Sequence, residues 1–173
     1  MKRSLPCLMF AVTLTAAAPA AATPYALTAA DRAEITALAR TFFESTRDGV
    51  RDLAAVFPSP VELRGIFPAP RGGAVDAGPT PVDEIVQRQF QAIERDVRAL
   101  RDAFRGGVFV GLGARSYPRD AVDLRPCGRF ARAASQCGDG PVIEYTVGGE
   151  ARRFRLDTLA RLRGHWRVFD VRP

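Results

Sequence analysis

The chain is poor in the residues that most often build metal and nucleophilic sites. Its 173 residues include three cysteines and a single histidine, and Lys2 is the only lysine among 25 basic residues. No carboxylate cluster stands at metal-ligand spacing, and no Cys–His or Ser–His pairing can be drawn around His165. Phosphate-loop, dinucleotide and nucleophile-elbow motifs are also missing. The sequence therefore predicts neither a metal site nor a cofactor.

A long hydrophobic run is missing as well. The most apolar stretch, Leu5 to Ala18, has about 14 residues, fewer than the ~20 that span a bilayer. It follows Lys2 and Arg3 and precedes the small residues at 20–22, which is the order of a secretory signal. We therefore expect residues 1–22 to be a signal peptide. Residues 23–173 would then form one periplasmic or secreted domain, with no stable membrane insertion after cleavage.

Two cysteines, Cys127 and Cys137, remain after removal of the signal. In an oxidising compartment the default expectation for such a pair is a disulfide. The bridge would close a short loop, and its chain-entropy contribution is roughly 2.8 kcal/mol. Two free thiols are the alternative, and thiol titration with and without reductant distinguishes them.

The first half of the chain carries helical signals. Thr28 is a candidate N-cap, and the helix that it begins should end near Gly49. A shorter helical stretch runs to Pro58, and Ser59 with Glu62 forms the pattern of a capping box for one more helical turn. Residues 68–81 contain four prolines and three glycines without an apolar period, so they are predicted to form a loop.

The strongest local pattern predicts a long helix that begins at Pro81 and ends at Gly106. Its apolar residues recur at steps of three and four: Val86, Phe90, Ile93, Val97, Leu100 and Phe104. Such a seam could belong to a coiled coil. It is shorter than four heptads and a strand-rich region follows, so we expect the helix to pack on a sheet.

From Val108 onward the apolar period becomes two, as in strands. Strands are predicted at 108–112, 121–125, 142–147, 153–163 and 166–171, with a hairpin turn at 148–149. Strict alternation assigns one face to Ile143, Tyr145, Phe154, Leu156, Thr158, Ala160 and Leu162. Helices followed by consecutive strands predict an α+β fold. N-terminal helices and one long amphipathic helix would pack on a curved antiparallel sheet of four to five strands.

Three segments carry a resemblance to a known superfamily: the helical ending Leu53–Phe57, the long strand Phe154–Leu162 and the C-terminal segment Gly164–Val171. In these the chain resembles the nuclear-transport-factor-like superfamily, which includes ketosteroid-isomerase-like and polyketide-cyclase-like proteins. The resemblance implies a cone-shaped pocket between the helices and the sheet. One departure is that the hairpin such proteins usually carry before the long helix is replaced here by the Pro/Gly-rich stretch.

The predicted register gives five candidate residues for the lining of this pocket: Tyr145, Phe154, Thr158, Trp166 and Asp170. Asp170 belongs with the others if the last turn has three residues, whereas it points outward if the turn has two. A buried Asp170 would have a raised pKa and could act as a general base, with Tyr145 as donor to an oxyanion. The favoured alternative is that both residues are structural.

The positive charge lies in the second half of the chain. Residues 105–173 hold 13 arginines against 7 acids, whereas residues 23–104 hold 10 against 12. Four arginines are predicted to project together from the outer sheet face: Arg153, Arg155, Arg161 and Arg163. This basic face could bind an anionic envelope polymer, lipid head groups or an acidic protein, or it could only keep an exposed sheet soluble. Nucleic acid is not expected, because exposed aromatic side chains are not interleaved with the arginines.

Together these patterns predict a periplasmic or secreted non-catalytic domain, monomeric or homodimeric. Its partner would be a small apolar ligand or an envelope protein or polymer. The alternative is a cofactor-free enzyme of the ketosteroid-isomerase or cyclase kind that uses Asp170 and Tyr145.

Overall fold

The computed structural model describes residues 22–49, 53–66, 81–114, 120–127 and 135–171. The elements are β1 (Thr23–Ala26), α1 (Ala29–Asp48), α2 (Leu53–Val56), α3 (Pro60–Ile66), α4 (Pro81–Phe104), β2 (Gly107–Leu112), β3 (Ala121–Pro126), β4 (Gln136–Asp139), β5 (Val142–Val147), β6 (Glu150–Leu162) and β7 (His165–Val171). Helices pack on a strongly curled antiparallel sheet, so the predicted α+β class is confirmed. The predicted signal peptide, apart from its last residue, and nearly all of the predicted loop at 68–81 lie outside the described residues.

Capping residues fix the ends of α1 and the start of α3 where the sequence predicted them. Thr28 Oγ1 accepts from the backbone N–H of Asp31 at 3.0 Å, and the Asp31 carboxylate accepts from the Thr28 N–H at 2.9 Å. Gly49 ends α1 with φ of 98°, a left-handed conformation that glycine adopts without strain. Ser59 and Glu62 form the same reciprocal pair before α3.

Helix α4 buries the predicted apolar seam. Phe90 is half-buried. The other five residues of the seam are buried: Val86, Ile93, Val97, Leu100 and Phe104. The other side of the helix carries Glu–Arg ion pairs one turn apart, including Glu84 with Arg88 at 3.6 Å. Among the described residues no helix combines the length and apolarity that crossing a membrane requires.

The sheet has seven strands in the order β1-β3-β4-β6-β5-β2, and β7 pairs with β6. β4 and β5 keep one register on β6, because Asp139 lies opposite Thr158 and Val142 lies opposite Arg155. They therefore form one long strand that is interrupted at Gly140 and pairs with nearly all of β6. The sequence predicted four to five strands and missed β1 and β4, which have only four residues each and little apolar alternation.

The predicted alternation along β6 is wrong beyond Leu156. The register between β6 and β7 shifts on both sides of Thr158, as in a β-bulge. Leu156 and Leu159 therefore both face the main core, whereas Ala160 and Leu162 face a second apolar cluster. Leu156 and Leu159 are three residues apart and face the same cluster, so the two faces of the strand exchange at this irregularity.

Two apolar clusters hold the elements together. The main core lies between α1, most of α4 and the sheet, and its largest fully buried side chains include Phe42, Phe43, Phe104 and Trp166. The second cluster joins α3 and the start of α4 to β4 and the last part of β6 through Leu63, Ile66, Val86, Cys137, Ala160 and Leu162. The predicted disulfide between Cys127 and Cys137 is formed in this cluster, with 4.8 Å between the Cα atoms.

Candidate functional site

Two of the predicted pocket residues, Tyr145 and Phe154, lie in a cluster of aromatic rings. The ring centroid of Phe104 lies 5.2 Å from that of Tyr145 and 5.3 Å from that of Phe154. Phe43 approaches Tyr145 to 5.2 Å, and Phe42 stacks on Phe154 at 6.1 Å. These are contact distances for aromatic pairs. Side chains thus fill the space between helices and sheet around both residues.

Tyr145 and Asp170 are not brought together. The last turn has two residues, since Leu162 pairs with His165 and Asp170 lies opposite Thr158 on β6. Tyr145 lies opposite Arg152, which precedes Thr158 by six residues on β6. Tyr145 and Asp170 are therefore about 20 Å apart along the strand. Thr158 and Asp170 are both half-buried. The geometry therefore does not assemble the acid–base pair that the enzyme alternative requires.

Two of the four arginines of the predicted basic face, Arg153 and Arg155, lie in ion pairs. The guanidinium of Arg153 lies 3.0 Å from the carboxylate of Glu144, and that of Arg155 lies 3.4 Å from Asp139. Arg163 is exposed in the last turn. Arg161 lies apart from Arg153 and Arg155, because the bulge in β6 turns it to the face that carries Trp166.

Trp166, the fourth predicted pocket residue, belongs to a polar cluster where β6 ends and β7 begins. We call this cluster the Trp166 site: Tyr25, Asp31, Arg161 and Trp166. The fully buried indole donates from Nε1 to Asp31 Oδ1 at 2.9 Å, and the Tyr25 hydroxyl donates to Asp31 Oδ2 at 3.3 Å. The Tyr25 ring meets the Trp166 ring edge-on, with 6.1 Å between their centroids. The site joins β1, α1, β6 and β7.

Asp31 is the electrostatic centre of this site. Burial acts to raise its pKa, but hydrogen bonds from Thr28, Trp166 and Tyr25 outweigh burial and lower the pKa to about 2. The neighbouring Glu34 accepts from the backbone N–H of Trp166 at 3.1 Å. The first turn of α1 is therefore bound to the start of β7 through ionised Asp31.

Arg161 completes the Trp166 site as its cation. The guanidinium carbon lies 4.6 Å from the centroid of the Tyr25 ring, which is cation–π geometry. Arg161 lies opposite Trp166 on β7 and opposite Gln136 on β4. These three residues therefore form a row across the sheet.

Sequence reasoning missed Tyr25 and Asp31 and assigned Arg161 to the wrong face. The spacing of Thr28 and Asp31 predicts a helix cap, and it carries no sign of the bond to Trp166, 135 positions away. Tyr25 lies on a strand that the sequence did not predict. The Trp166 site is thus a product of long-range topology, and no local motif could have located it.

In the part of the chain that the structure describes, no three side chains of the types that bind metal ions converge. The hydrogen-bond donors of the Trp166 site are the Tyr25 hydroxyl and the Trp166 indole, which already bind the Asp31 carboxylate, and the guanidinium of Arg161. This set of donors suits anion recognition or structural support. Comparison with known proteins found no match for this chain among protein-family models, curated proteins or solved structures.

Proposed function

We propose that the protein is a periplasmic or secreted, non-catalytic member of the nuclear-transport-factor-like superfamily that binds a protein partner through the outer face of its sheet. Three features support this proposal. The N-terminal 22 residues have the order of a secretory signal. The Cys127–Cys137 disulfide suits an oxidising compartment. Helices packed on a curled antiparallel sheet agree with the architecture of that superfamily.

The observation that carries the proposal is an apolar patch on the edge strand β2. Val108 and Val110 are each 60% exposed, whereas Phe109 between them is buried against Phe43 of α1. Helix α1 therefore covers the inner face of β2, and the two valines lie on the outer face. Exposed apolar side chains on an edge strand are typical of a surface that another protein covers.

The charges beside this patch indicate what kind of partner fits. Glu144 of β5 and Arg153 of β6 are paired next to the valines, and Asp139 with Arg155 continues the face. A small apolar centre with a rim of both charge signs is typical of a non-obligate protein interface. An anionic polymer would need arginines without acidic partners. The proposed partner is therefore a protein with its own mixture of charges.

The packing on the inner side of the sheet supports a non-catalytic role, and it argues against an apolar ligand enclosed between the sheet and the helices. Tyr145 and Phe154 are packed among phenylalanine rings, so an apolar ligand would have to displace them. Asp170 is far from Tyr145 along the sheet. Binding at the outer face needs neither a cavity nor a catalytic group.

Site-specific photo-crosslinking in living cells tests the partner surface. A photoreactive residue at Val110 of the full chain should give one protein adduct, and the same residue at exposed Gln91 on α4 should give none. Charge reversal by Arg153→Glu should reduce the adduct at Val110, because it places two acids side by side. Equal adducts at both positions, or none at Val110, would overturn the proposed surface.

The location is tested separately by cell fractionation and thiol labelling. The mature chain should be found outside the cytoplasm, with Cys127 and Cys137 unreactive until a reductant is added. A cytoplasmic chain with two reactive thiols would contradict the proposed compartment.

A further inference from the structure

The charge of Arg161 is not compensated within the described residues. Among the residues that the structure describes, its buried Nε has no hydrogen-bond partner, and no carboxylate forms an ion pair with its guanidinium. Arg153 and Arg155, on the opposite face of the same strand, each contact a carboxylate. Because removing a cation from water is unfavourable unless an anion or acceptor replaces the water, Arg161 has a capacity for binding that the fold leaves unused.

Asp31, the carboxylate of the Trp166 site, is not a hydrogen-bond partner of Arg161. Asp31 already receives four hydrogen bonds, two from Thr28, one from Tyr25 and one from Trp166. None of them comes from Arg161. Tyr25 contacts both charged groups: its hydroxyl group donates to Asp31, and its ring stacks against the guanidinium of Arg161. Arg161 is therefore held in a fixed position by stacking and keeps its donors for another group.

The surroundings of Arg161 suit an oxyanion. Tyr25 covers one face of the guanidinium, so a ligand must approach the donors that lie in the guanidinium plane. Nε is enclosed while the residue as a whole is half-buried, which leaves the terminal nitrogens to a ligand. Gln136 lies directly opposite on β4 and is also half-buried, and its amide can add a donor. A planar fork with an adjacent amide matches carboxylate and phosphate groups.

We propose that Arg161, stacked on Tyr25 and assisted by Gln136, binds the carboxylate or phosphate group of a small-molecule ligand. This inference goes beyond the proposed function, because Arg161 shares the sheet face of Trp166 whereas the partner surface of Val108 and Val110 lies on the outer face of β2. Either can fail without the other.

The protein carries its own reporter for this site, because Trp166 is the single tryptophan and lies opposite Arg161. The mature protein is titrated with inorganic phosphate and with acetate, against sodium chloride at equal ionic strength. Tryptophan fluorescence and the NMR signal of the Arg161 Nε–H group are followed. A saturable change with phosphate alone assigns a phosphate ligand, and one with acetate alone assigns a carboxylate. Saturation with both supports the shared oxyanion chemistry. The same change with chloride, or none with any salt, overturns the proposal.

Variants locate the response on the residue. Arg161→Gln should weaken binding about tenfold or more, because it removes a charge-assisted hydrogen bond. Arg163→Gln, which removes an exposed arginine two positions away, should leave the binding unchanged. Equal loss in the two variants would show general charge attraction and would overturn the site. If Arg161→Gln does not fold, the shift of the Arg161 Nε–H signal in the wild type decides the question. The crosslinking at Val110 is unaffected by any of these outcomes.

Discussion

The two halves of β6 have different surroundings. In the first half, residues 150–155, Phe154 faces the aromatic rings of the core, and Arg153 and Arg155 lie outside in ion pairs. In the second half, Leu159 faces the main core, and its neighbour Ala160 faces the second cluster. One strand is thus covered on one face at its start and on both faces at its end. The alternation of apolar and polar residues shows which side chains of a strand face the core only where the other face of the strand is exposed to water.

The two halves meet at a close backbone contact with the neighbouring strand. The N–H of Gly140 donates to the carbonyl of Asp157, and the N–H of Leu156 donates to the carbonyl of Pro141, both at 3.0 Å. A Cβ atom added to Gly140 would clash with the backbone carbonyl of Leu156. The contact therefore requires glycine at this position, because any side chain would push the two strands apart.

The largest expected effect follows from breaking this contact. Gly140→Ala should lower the free energy of unfolding by about 3 kcal/mol, because backbone atoms must move to admit the methyl group. Urea unfolding followed by Trp166 fluorescence measures the loss. The control is Gly65→Ala in α3, where an added Cβ meets nothing within 4 Å and where alanine favours the helix by up to about 1 kcal/mol. Equal stability of the two variants would show that the halves of β6 are not joined through Gly140.

The same comparison explains which parts of the fold the sequence could predict. The starts of α1 and α3 depend on residues three positions apart, and the long seam of α4 depends on steps of three and four. Both signals are local, so both predictions were confirmed. The hairpin at 148–149 was predicted for the same reason, and Val147 lies opposite Glu150 as the turn requires.

The errors lie where distant segments decide the structure. The bulge at Thr158 depends on how β7 pairs with β6, and it moved Arg161 from the expected outer face to the Trp166 site. β1 was missed because it is short and contains Pro24, which disfavours a strand prediction. The tryptophan–carboxylate bond joins residues 135 positions apart, beyond the reach of periodicity. The candidate site is therefore visible only after the sheet has been assembled.

The second prediction distinguishes β4 from β5, which together form the long strand that pairs with β6. Removing the disulfide with Cys127→Ala and Cys137→Ala should lower the free energy of unfolding by roughly 2.8 kcal/mol, since the unfolded chain gains freedom. Cys137 packs beside Ala160 in the second cluster, so local opening of the structure should become easier mainly in β4. Hydrogen exchange should therefore accelerate more at the amide of Gly138 than at that of Tyr145 in β5.

Reduced wild-type protein is the control for the cysteine variants, because it keeps both side chains and loses only the bond. If it matches the double variant, the effect belongs to the bridge. Equal acceleration of exchange in β4 and β5 would contradict the separation of the two halves.

The smallest of the three effects concerns Asp31, which binds α1 to the β7 strand that flanks only the second half of β6. Its pKa of about 2 in the folded protein lies below the ordinary value, so the ionised form stabilises the fold. That contribution, about 2 kcal/mol, is complete above about pH 4 and is lost as the pH falls through 2. Asp31→Asn should therefore be less stable than wild type by this amount at pH 7, and the two should converge near pH 2. Asp48→Asn, which removes an exposed carboxylate, should show a far smaller change with pH because solvent screens its partner. A constant difference between wild type and Asp31→Asn down to pH 2 would mean that shape and hydrogen bonding, rather than the charge of Asp31, hold α1 against β7.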